Sequence, residues 1–413
     1  LDGFNDSIAS LTFQGQGGYA DGGSLVQTAA GRLTLTGNIT SANLDDIRLI
    51  PTISGNIALG ASPTITVGKV SGTTLLGARG DLNEQGGLVI NANITGGATI
   101  TKAGLGALQL GGTSTSITTI NVNAGSVILG AAANYDNANT VLAAGTILDM
   151  RGSTNVQIGS VTSASATAVI KNFSSSTGGT LVTGSDNTNG TFAGVLASDY
   201  TTGLLNVTKI GTGNWSLSLD NSANLLGTLQ VNNGSVILNG SAARVGFVTT
   251  ILAEGGALTL DNSTNVLANR LGGTTSIQTA TSDRALSNRG GILNFIGGSS
   301  AVTEALGTGA TAVTNFEGAS RWNLTAGTAG STITFGTLVA ASTTNRGTLT
   351  LDTGSGLLGG GAAGSGRVNV IATTPGLIAN IRPDMIGIDS SGTGFVTHDA
   401  NGFRLLNSAD TAL

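Results

Sequence analysis

The chain has 413 residues and a formal net charge of −5 at pH 7, with 66 glycines, no cysteine and only 9% charged residues. Its hydrophobic content of 39% excludes a disordered chain, because disordered chains combine low hydrophobicity with high charge. Its net negative charge argues against a nucleic-acid partner, because proteins that bind nucleic acids usually carry a basic patch. The absence of cysteine excludes disulfides and thiolate metal sites, and it is common in secreted bacterial chains.

We expect neither a membrane span nor a signal peptide in this sequence. No apolar run approaches the ~18 residues that a membrane helix needs. Residue 1 is Leu rather than Met, and no signal peptide opens the chain. We therefore expect a processed or excised segment of a longer secreted protein.

Residues 1–100 alternate apolar and polar side chains in short segments, which indicates strands with one buried face. The segments are Leu33–Thr36, Ile53–Leu59 and Thr64–Val67. Pro51 and Pro63 are expected at strand starts or corners, because proline cannot donate a hydrogen bond to a ladder.

A glycine followed by apolar residues at the second and fourth positions recurs along the chain. The glycines that begin this pattern are Gly31, Gly106, Gly125, Gly213, Gly234, Gly256, Gly291, Gly347 and Gly366. Neighbouring copies lie 19 residues apart at Gly106 and Gly125, and 21 apart at Gly213 and Gly234. Glycine suits the positive φ that ends one turn before the next strand.

A longer repeat of about 110 residues lies over the short one. The segment that begins at Lys102 reappears 107 residues later at Lys209. It maps Lys102, Gly104, Gly106, Leu108 and Leu110 onto Lys209, Gly211, Gly213, Trp215 and Leu217. Gly125–Leu129 reappears 109 residues later as Gly234–Leu238. Such internal repeats are typical of solenoids, propellers or arrays.

These periods predict an all-β chain that folds as a right-handed parallel β-helix, a solenoid. Steps near 20 residues are too short for a propeller blade, which needs about 40 to 50. With strands stacked about 4.8 Å apart, roughly 20 coils would form a rod on the order of 100 Å long.

We predict a solenoid over residues 1–370, with internal repeats at about 100–206 and 207–316. The composition of the sequence changes after Val370, where Pro375, Pro383 and several aromatic residues appear. Residues 371–413 are therefore predicted to be an irregular C-terminal segment that serves as a cap or a linker, because a solenoid end otherwise exposes unpaired backbone groups.

The segments from Lys102 to Leu129 and from Lys209 to Leu238 resemble the autotransporter-associated β-strand repeat. In that pattern a Lys-x-Gly-x-Gly-x-Leu-x-Leu run is followed by a turn and then by Val-Asn-x-Gly-x-Leu-x-Leu. Val122–Gly125 and Val231–Gly234 match the second half closely. An aromatic residue common in the central turn of the family is missing from both copies.

The resemblance implies a passenger segment of a large secreted bacterial protein, located outside the cell or on its outer surface. The implied role is a non-catalytic stalk, fibre or adhesin that associates with itself end to end or with cell-surface or matrix components. The family pattern carries no catalytic residues, and we predict no catalytic, cofactor or metal site. Two alternatives stay open: a polysaccharide-acting β-helix lyase or glycoside hydrolase, and an adhesin that binds glycans or a host.

Two polar motifs in the first hundred residues are candidates for binding or chemistry. Arg79, Gly80 and Asp81 spell the RGD tripeptide and form a candidate adhesion turn, although a plain polar turn is the favoured interpretation. Asp45 and Asp46 are the only adjacent acidic pair. Adjacent residues of a strand point to opposite faces, so a working carboxylate pair for glycoside cleavage or calcium would come from neighbouring coils.

Two further motifs lie near the C-terminus. His398, the only histidine, is followed by Asp399 and lies near Asp384 and Asp389 in the sequence, but no nucleophile elbow accompanies it. We therefore expect a surface or interface histidine. The glycines at 354, 356 and 359 match a dinucleotide fingerprint in letters only, because no strand-to-helix context follows.

The sequence also predicts structural roles for several asparagines and for both tryptophans. The turns contain Asn123, Asn232, Asn233, Asn262 and Asn265, and we expect stacked Asn side chains to form hydrogen-bonded ladders there. Trp215 occupies an apolar position of the repeat and Trp322 lies in a similar run, so both are expected to point into the core.

Overall fold

The computed structural model describes residues 3–14, 23–44, 50–60, 62–69, 86–271, 285–306, 313–338 and 347–410. Throughout these ranges the regular structure is β-strand, and none of it is a helix long and apolar enough to cross a membrane. Strands pair in sequence order in long parallel sheets, which confirms the predicted parallel β-helix class. The chain divides into two units, Leu1–Asn206 and Val207–Leu413, and the boundary falls within one strand.

The strands of the first unit are β1 (Asp6–Ile8), β2 (Leu11–Phe13), β3 (Leu25–Leu35), β4 (Ile39–Ser41), β5 (Thr52–Leu59), β6 (Thr64–Val67), β7 (Gly86–Gly96), β8 (Thr99–Ala103), β9 (Ala107–Leu110), β10 (Thr119–Val122), β11 (Ser126–Leu129), β12 (Asn134–Leu142), β13 (Ile147–Asp149), β14 (Val156–Thr162), β15 (Val169–Asn172), β16 (Gly179–Thr183), β17 (Gly190–Phe192) and β18 (Val195–Ser198).

The boundary strand and the strands of the second unit are β19 (Leu205–Lys209), β20 (Asn214–Leu217), β21 (Asp220–Val231), β22 (Gly234–Leu238), β23 (Arg244–Ala253), β24 (Gly256–Asp261), β25 (Ala285–Arg289), β26 (Ile292–Ile296), β27 (Val302–Ala305), β28 (Val313–Thr325), β29 (Ser331–Leu338), β30 (Gly347–Asp352), β31 (Leu357–Leu358), β32 (Arg367–Thr374), β33 (Arg382–Asp389), β34 (Gly392–Asp399) and β35 (Gly402–Leu405).

In the first unit, alternate strands pair with each other. One parallel sheet runs β1-β3-β5-β7-β9-β11-β13-β15-β18, and the other contains β2, β4, β6, β8, β10, β12, β14 and β16. Each coil therefore gives one strand to each sheet. Thr99, Thr119 and Asn139 are register partners in three successive coils. The hydrogen bond from Thr118 Oγ1 to the carbonyl oxygen of Ala98 joins residues 20 apart, the length of one such coil.

The second unit repeats this arrangement with one strand shared between its sheets. One parallel ladder runs β20-β22-β24-β26-β28-β30-β33, and the other contains β19, β21, β23, β25 and β28. The first half of β28 pairs with β25, and its second half pairs with β26. Gly318, with φ of 61°, lies between the two halves, so the long strand turns a corner of the coil at this glycine.

Interior side chains of successive coils stack into columns. Leu108, Val127 and Leu148 are register partners on β9, β11 and β13, and each is 0% exposed. Burying an aliphatic side chain of this kind contributes about 1.5–3 kcal/mol. The period-two alternation of the sequence therefore becomes a continuous apolar core between the two sheets.

Both tryptophans lie in one interior column of the second unit. The column runs Trp215, Val236, Leu258, Leu293, Trp322 and Leu351. Both indole side chains are buried, as predicted, and Trp322 packs edge-on against Phe335 with ring centroids 5.8 Å apart. Their role is therefore core packing.

The C-terminal segment is more regular than the irregular cap or linker predicted over 371–413. The strands β33, β34 and β35 pair antiparallel with two-residue turns between them. Asp389 and Asp399 begin these turns, and Gly392 and Gly402 end them with φ of 145° and 99°. Each aspartate accepts a 2.7 Å hydrogen bond from a backbone N–H two residues later, which fixes the turn.

Candidate functional site

The corner that follows β8 contains a buried lysine. Lys102 is 0% exposed, and its Nζ donates hydrogen bonds to the carbonyl oxygens of Ala103 at 2.9 Å, Gly104 at 2.7 Å and Ala124 at 2.9 Å. Two acceptors lie in its own corner and the third lies 22 residues ahead, in the next coil. The ammonium group therefore ties two successive coils together.

The same arrangement occurs in the second copy of the long repeat. Lys209 is 1% exposed, and its Nζ donates to the carbonyl oxygens of Ile210 at 2.5 Å, Gly211 at 2.9 Å and Asn233 at 3.4 Å. Equivalent residues of the long repeat thus make equivalent contacts. We call these two arrangements, at Lys102 and Lys209, the lysine corners.

The chemistry of the corner explains the choice of lysine. Carbonyl groups at a turn have left the ladder, and an ammonium group supplies three donors at one point. All three acceptors of Lys102 are neutral carbonyls. Burial lowers the pKa of Lys102 to about 8, because desolvation disfavours the charged form.

The glycines of the repeat leave room for this corner. Gly125 and Gly234 have φ of 67° and 63°. A Cβ atom on Gly125 would lie 2.5 Å from the carbonyl oxygen of Gly106, and one on Gly234 would lie 2.4 Å from that of Gly213. Only glycine combines the positive φ with this close approach of two coils.

The two lysines align the copies of the long repeat in the sequence, but no structural role is predicted for them from the sequence. One feature could have indicated this role. Lys102 is aligned with Val122 and Leu142 on the neighbouring strands of its sheet, and Lys209 is aligned with Val231 and Leu252. A lysine at an otherwise apolar position, repeated with the same following glycines, indicates a buried cation with a fixed set of acceptors.

A second buried polar cluster was also missed. Glu304 is 0% exposed and accepts hydrogen bonds from the backbone N–H groups of Arg270 at 2.8 Å and Leu271 at 2.9 Å. The guanidinium of Arg270, also 0% exposed, donates to Asn262 Oδ1 at 2.9 Å and to the carbonyl oxygen of Asn265 at 2.6 Å. Burial raises the pKa of Glu304 to about 7. The cluster shapes a corner of the second unit.

The polar ladder of the second unit lies on strands rather than in the turns predicted for it. Asn323 Nδ2 donates to Asn294 Oδ1 at 2.9 Å, and Asn294 Nδ2 donates to Thr259 Oγ1 at 3.1 Å. The turn asparagines Asn262 and Asn265 accept hydrogen bonds from Arg270 instead. Strand residues stack in register from coil to coil, whereas corners vary in length and conformation.

His398 lies in the C-terminal hairpins and binds a strand edge. Its Nε2 accepts a 3.2 Å hydrogen bond from the backbone N–H of Ala372 on β32, and its ring packs edge-on against Phe403 at 4.8 Å. Burial lowers the pKa of His398, which favours the neutral ring that accepts this hydrogen bond. Asp399 accepts from Arg404 and from the turn. The contacts therefore give His398 a structural role.

The remaining candidates are placed as follows. The adhesion turn Arg79–Asp81 and the acidic pair Asp45–Asp46 lie outside the described residues. Gly354 has φ of 58°, and its N–H donates to Asp352 Oδ1 at 2.8 Å in a turn after β30. No helix follows within 347–410, so the dinucleotide pattern is a coincidence of letters.

Comparison with known proteins adds no identification. No protein-family model matches the chain, and no curated protein matches it in sequence. The likeness to the autotransporter-associated repeat therefore rests on the residues of the lysine corners and their spacing alone.

Proposed function

We propose that this protein is a non-catalytic structural component of an extracellular or cell-surface bacterial stalk or fibre, or the passenger of an autotransporter-type adhesin. The observation that supports the proposal is the lysine corner. Lys102 and Lys209 each place a buried ammonium where a coil turns and bind the next coil through its backbone. Repeated chemistry of this kind stabilises stacking between coils.

The outer strand faces support the same role. The hydrogen bonds between Asn323, Asn294 and Thr259 connect successive coils on the outside of the second unit. In the first unit, Thr113 Oγ1 donates to Asn93 Oδ1 at 3.0 Å across neighbouring coils. Polar side chains thus reinforce the backbone ladders on the surface, which suits a scaffold exposed to water.

The C-terminal hairpins limit how copies would associate end to end. His398 accepts the Ala372 N–H, and a Cβ atom on Gly402 would lie 2.4 Å from the carbonyl oxygen of Val370, so the hairpins cover the edge of β32. A second copy would extend this ladder only after the hairpins moved aside. We therefore propose self-association through other surfaces, or after displacement of these strands.

Immunogold electron microscopy of the source cells tests the proposal. Antibodies raised against the 413-residue chain should label the outer surface or material outside the cell. Labelling confined to the cytoplasm would overturn the location. A parallel assay incubates the purified chain with a panel of polysaccharides, and reproducible release of reducing ends would overturn the non-catalytic role.

A further inference from the structure

A groove of about 340 Å³ lies in the second unit beside the C-terminal hairpins. Its walls are the end of β31 with the loop after it, the start of β32, the turn between β33 and β34 with the strand residues on either side of it, and the end of β35 with the residues after it. This volume lies in the range of small-ligand sites, about 300–1,000 Å³. Two arginines, Arg367 and Arg404, line it.

Arg404 is held in place by carboxylates. Its Nε donates to Asp399 Oδ2 at 2.9 Å, and its two Nη atoms donate to the two oxygens of Asp410 at 2.7 Å each. The guanidinium lowers the pKa of Asp410 to about 2, so this carboxylate is ionised at neutral pH. Arg404 therefore forms a fixed wall of the groove.

Arg367 has a different environment. Its Nη1 donates to the carbonyl oxygen of Gly359, and among the described residues no carboxylate lies within ion-pair distance of its guanidinium. A Cβ atom on Gly361 would lie 3.4 Å from Arg367 Cζ, and one on Gly360 would lie 3.6 Å from Nη1. The glycines thus leave space beside a cation that has further donors to offer.

The acidic residue of the groove does not neutralise Arg367. Asp389 Oδ1 accepts from the N–H and the hydroxyl of Ser391 at 2.7 and 2.5 Å, and its Oδ2 accepts from the N–H of Leu358 at 3.2 Å. Its carboxylate therefore builds the turn between β33 and β34. The exposed side chains of Thr393 and Asn407 provide hydroxyl and amide groups at the rim.

We propose that this groove binds an acidic oligosaccharide, with a sugar carboxylate on Arg367 and sugar hydroxyl groups on Thr393 and Asn407. A planar guanidinium with free donors recognises a carboxylate bidentately. The Thr393 hydroxyl can donate and accept, and Asn407 keeps its Nδ2 donors while its Oδ1 accepts from the N–H of Ala409 at 2.9 Å; both groups suit sugar hydroxyls. Among the strands that line the groove, β32, β33 and β34 each already pair with two neighbouring strands, which favours a saccharide over a peptide that adds as a strand. The site is independent of the structural role.

Isothermal titration calorimetry with trigalacturonate tests the proposal on the full chain. The acid should bind, and its methyl ester, which differs in lacking the charge, should bind at least tenfold more weakly. Arg367→Gln should weaken binding of the acid at least tenfold, and Arg367→Lys should weaken it less. Arg321→Gln is the matched control, because Arg321 pairs with Asp352 outside the groove, and it should bind like the unmodified chain.

Thr393→Trp provides a second test that fills the groove from an exposed position at the start of β34, in case Arg367→Gln fails to fold. It should also weaken binding at least tenfold. Absence of trigalacturonate binding, equal binding of the methyl ester, or unchanged binding by both groove variants would overturn the proposal. Tighter binding of triglutamate than of trigalacturonate would overturn the saccharide assignment.

Discussion

Lys102 and Ala124 belong to neighbouring coils, and a 2.9 Å hydrogen bond from Lys102 Nζ to the carbonyl oxygen of Ala124 joins them. The residues are 22 apart in the sequence. The same lysine also binds the two carbonyl groups of its own corner. One side chain therefore closes a turn and fixes the distance to the next coil.

Replacing this lysine should destabilise the first unit. Lys102→Met keeps the length of the side chain and removes three hydrogen bonds from a buried ammonium group to part-buried carbonyl groups, so the free energy of unfolding should fall by about 3 kcal/mol. Lys69→Met is the matched control, because Lys69 is exposed, and it should change stability little. Urea unfolding followed by circular dichroism measures both, and equal stabilities would contradict the role of the corner.

The free energy of unfolding should depend on pH because the buried ammonium group of Lys102 titrates differently in the folded and unfolded chains. The pKa of Lys102 falls to about 8 in the folded chain from 10.5. Between these values the unfolded chain holds more protons than the folded chain, so the contribution of Lys102 to stability rises as the pH rises from 8 to 10.5.

The difference in unfolding free energy between the unmodified chain and Lys102→Met isolates this contribution. It should grow across this pH range in favour of the unmodified chain. A difference that stays flat would show that the folded pKa is not lowered.

The glycines of the lysine corners should be sensitive to a single methyl group. Gly125→Ala places a Cβ atom 2.5 Å from a backbone oxygen at a residue with φ of 67°, and we expect a loss of about 2–4 kcal/mol. Gly145→Ala is the control, since its φ is 72° and nothing lies within 4 Å of the added atom. That variant should lose only about 1 kcal/mol. Equal losses in denaturant titrations would show that the close approach of coils contributes nothing.

The buried Glu304 predicts a stability change of opposite sign. Its folded pKa of about 7 lies above the ordinary value of 4.5, so between these values the folded chain holds more protons. Its contribution to stability therefore rises as the pH falls from 7 to 4.5, by about 3 kcal/mol.

Glu304→Gln removes this titration and serves as the reference. The stability of the unmodified chain relative to this variant should increase as the pH falls, as measured by urea unfolding at several pH values. Parallel pH profiles for the two chains would contradict the burial of an ionisable group at this position.

Most contacts of the buried polar residues could not be predicted from neighbouring residues in the sequence. The carbonyl groups that bind Lys102 and Lys209 come partly from the next coil, and Glu304 meets a backbone N–H 34 residues before it. His398 binds an N–H 26 residues before it. The hairpins at Asp389 and Asp399 are an exception, because Asp-x-x-Gly is a local turn signal that was available and was missed.

The sequence by itself determined the class of fold. Period-two alternation sets which side chains are buried, and glycines about 20 residues apart set where coils turn, because both depend only on neighbouring residues. The tertiary structure decided which polar groups meet. The separation of hydrogen-bonded partners in adjacent coils varies, since it is 20 residues for Thr118 and Ala98 and 38 residues for Thr95 and Ile57. Corner length varies from coil to coil, so only the stacked chain brings a buried lysine to its acceptors.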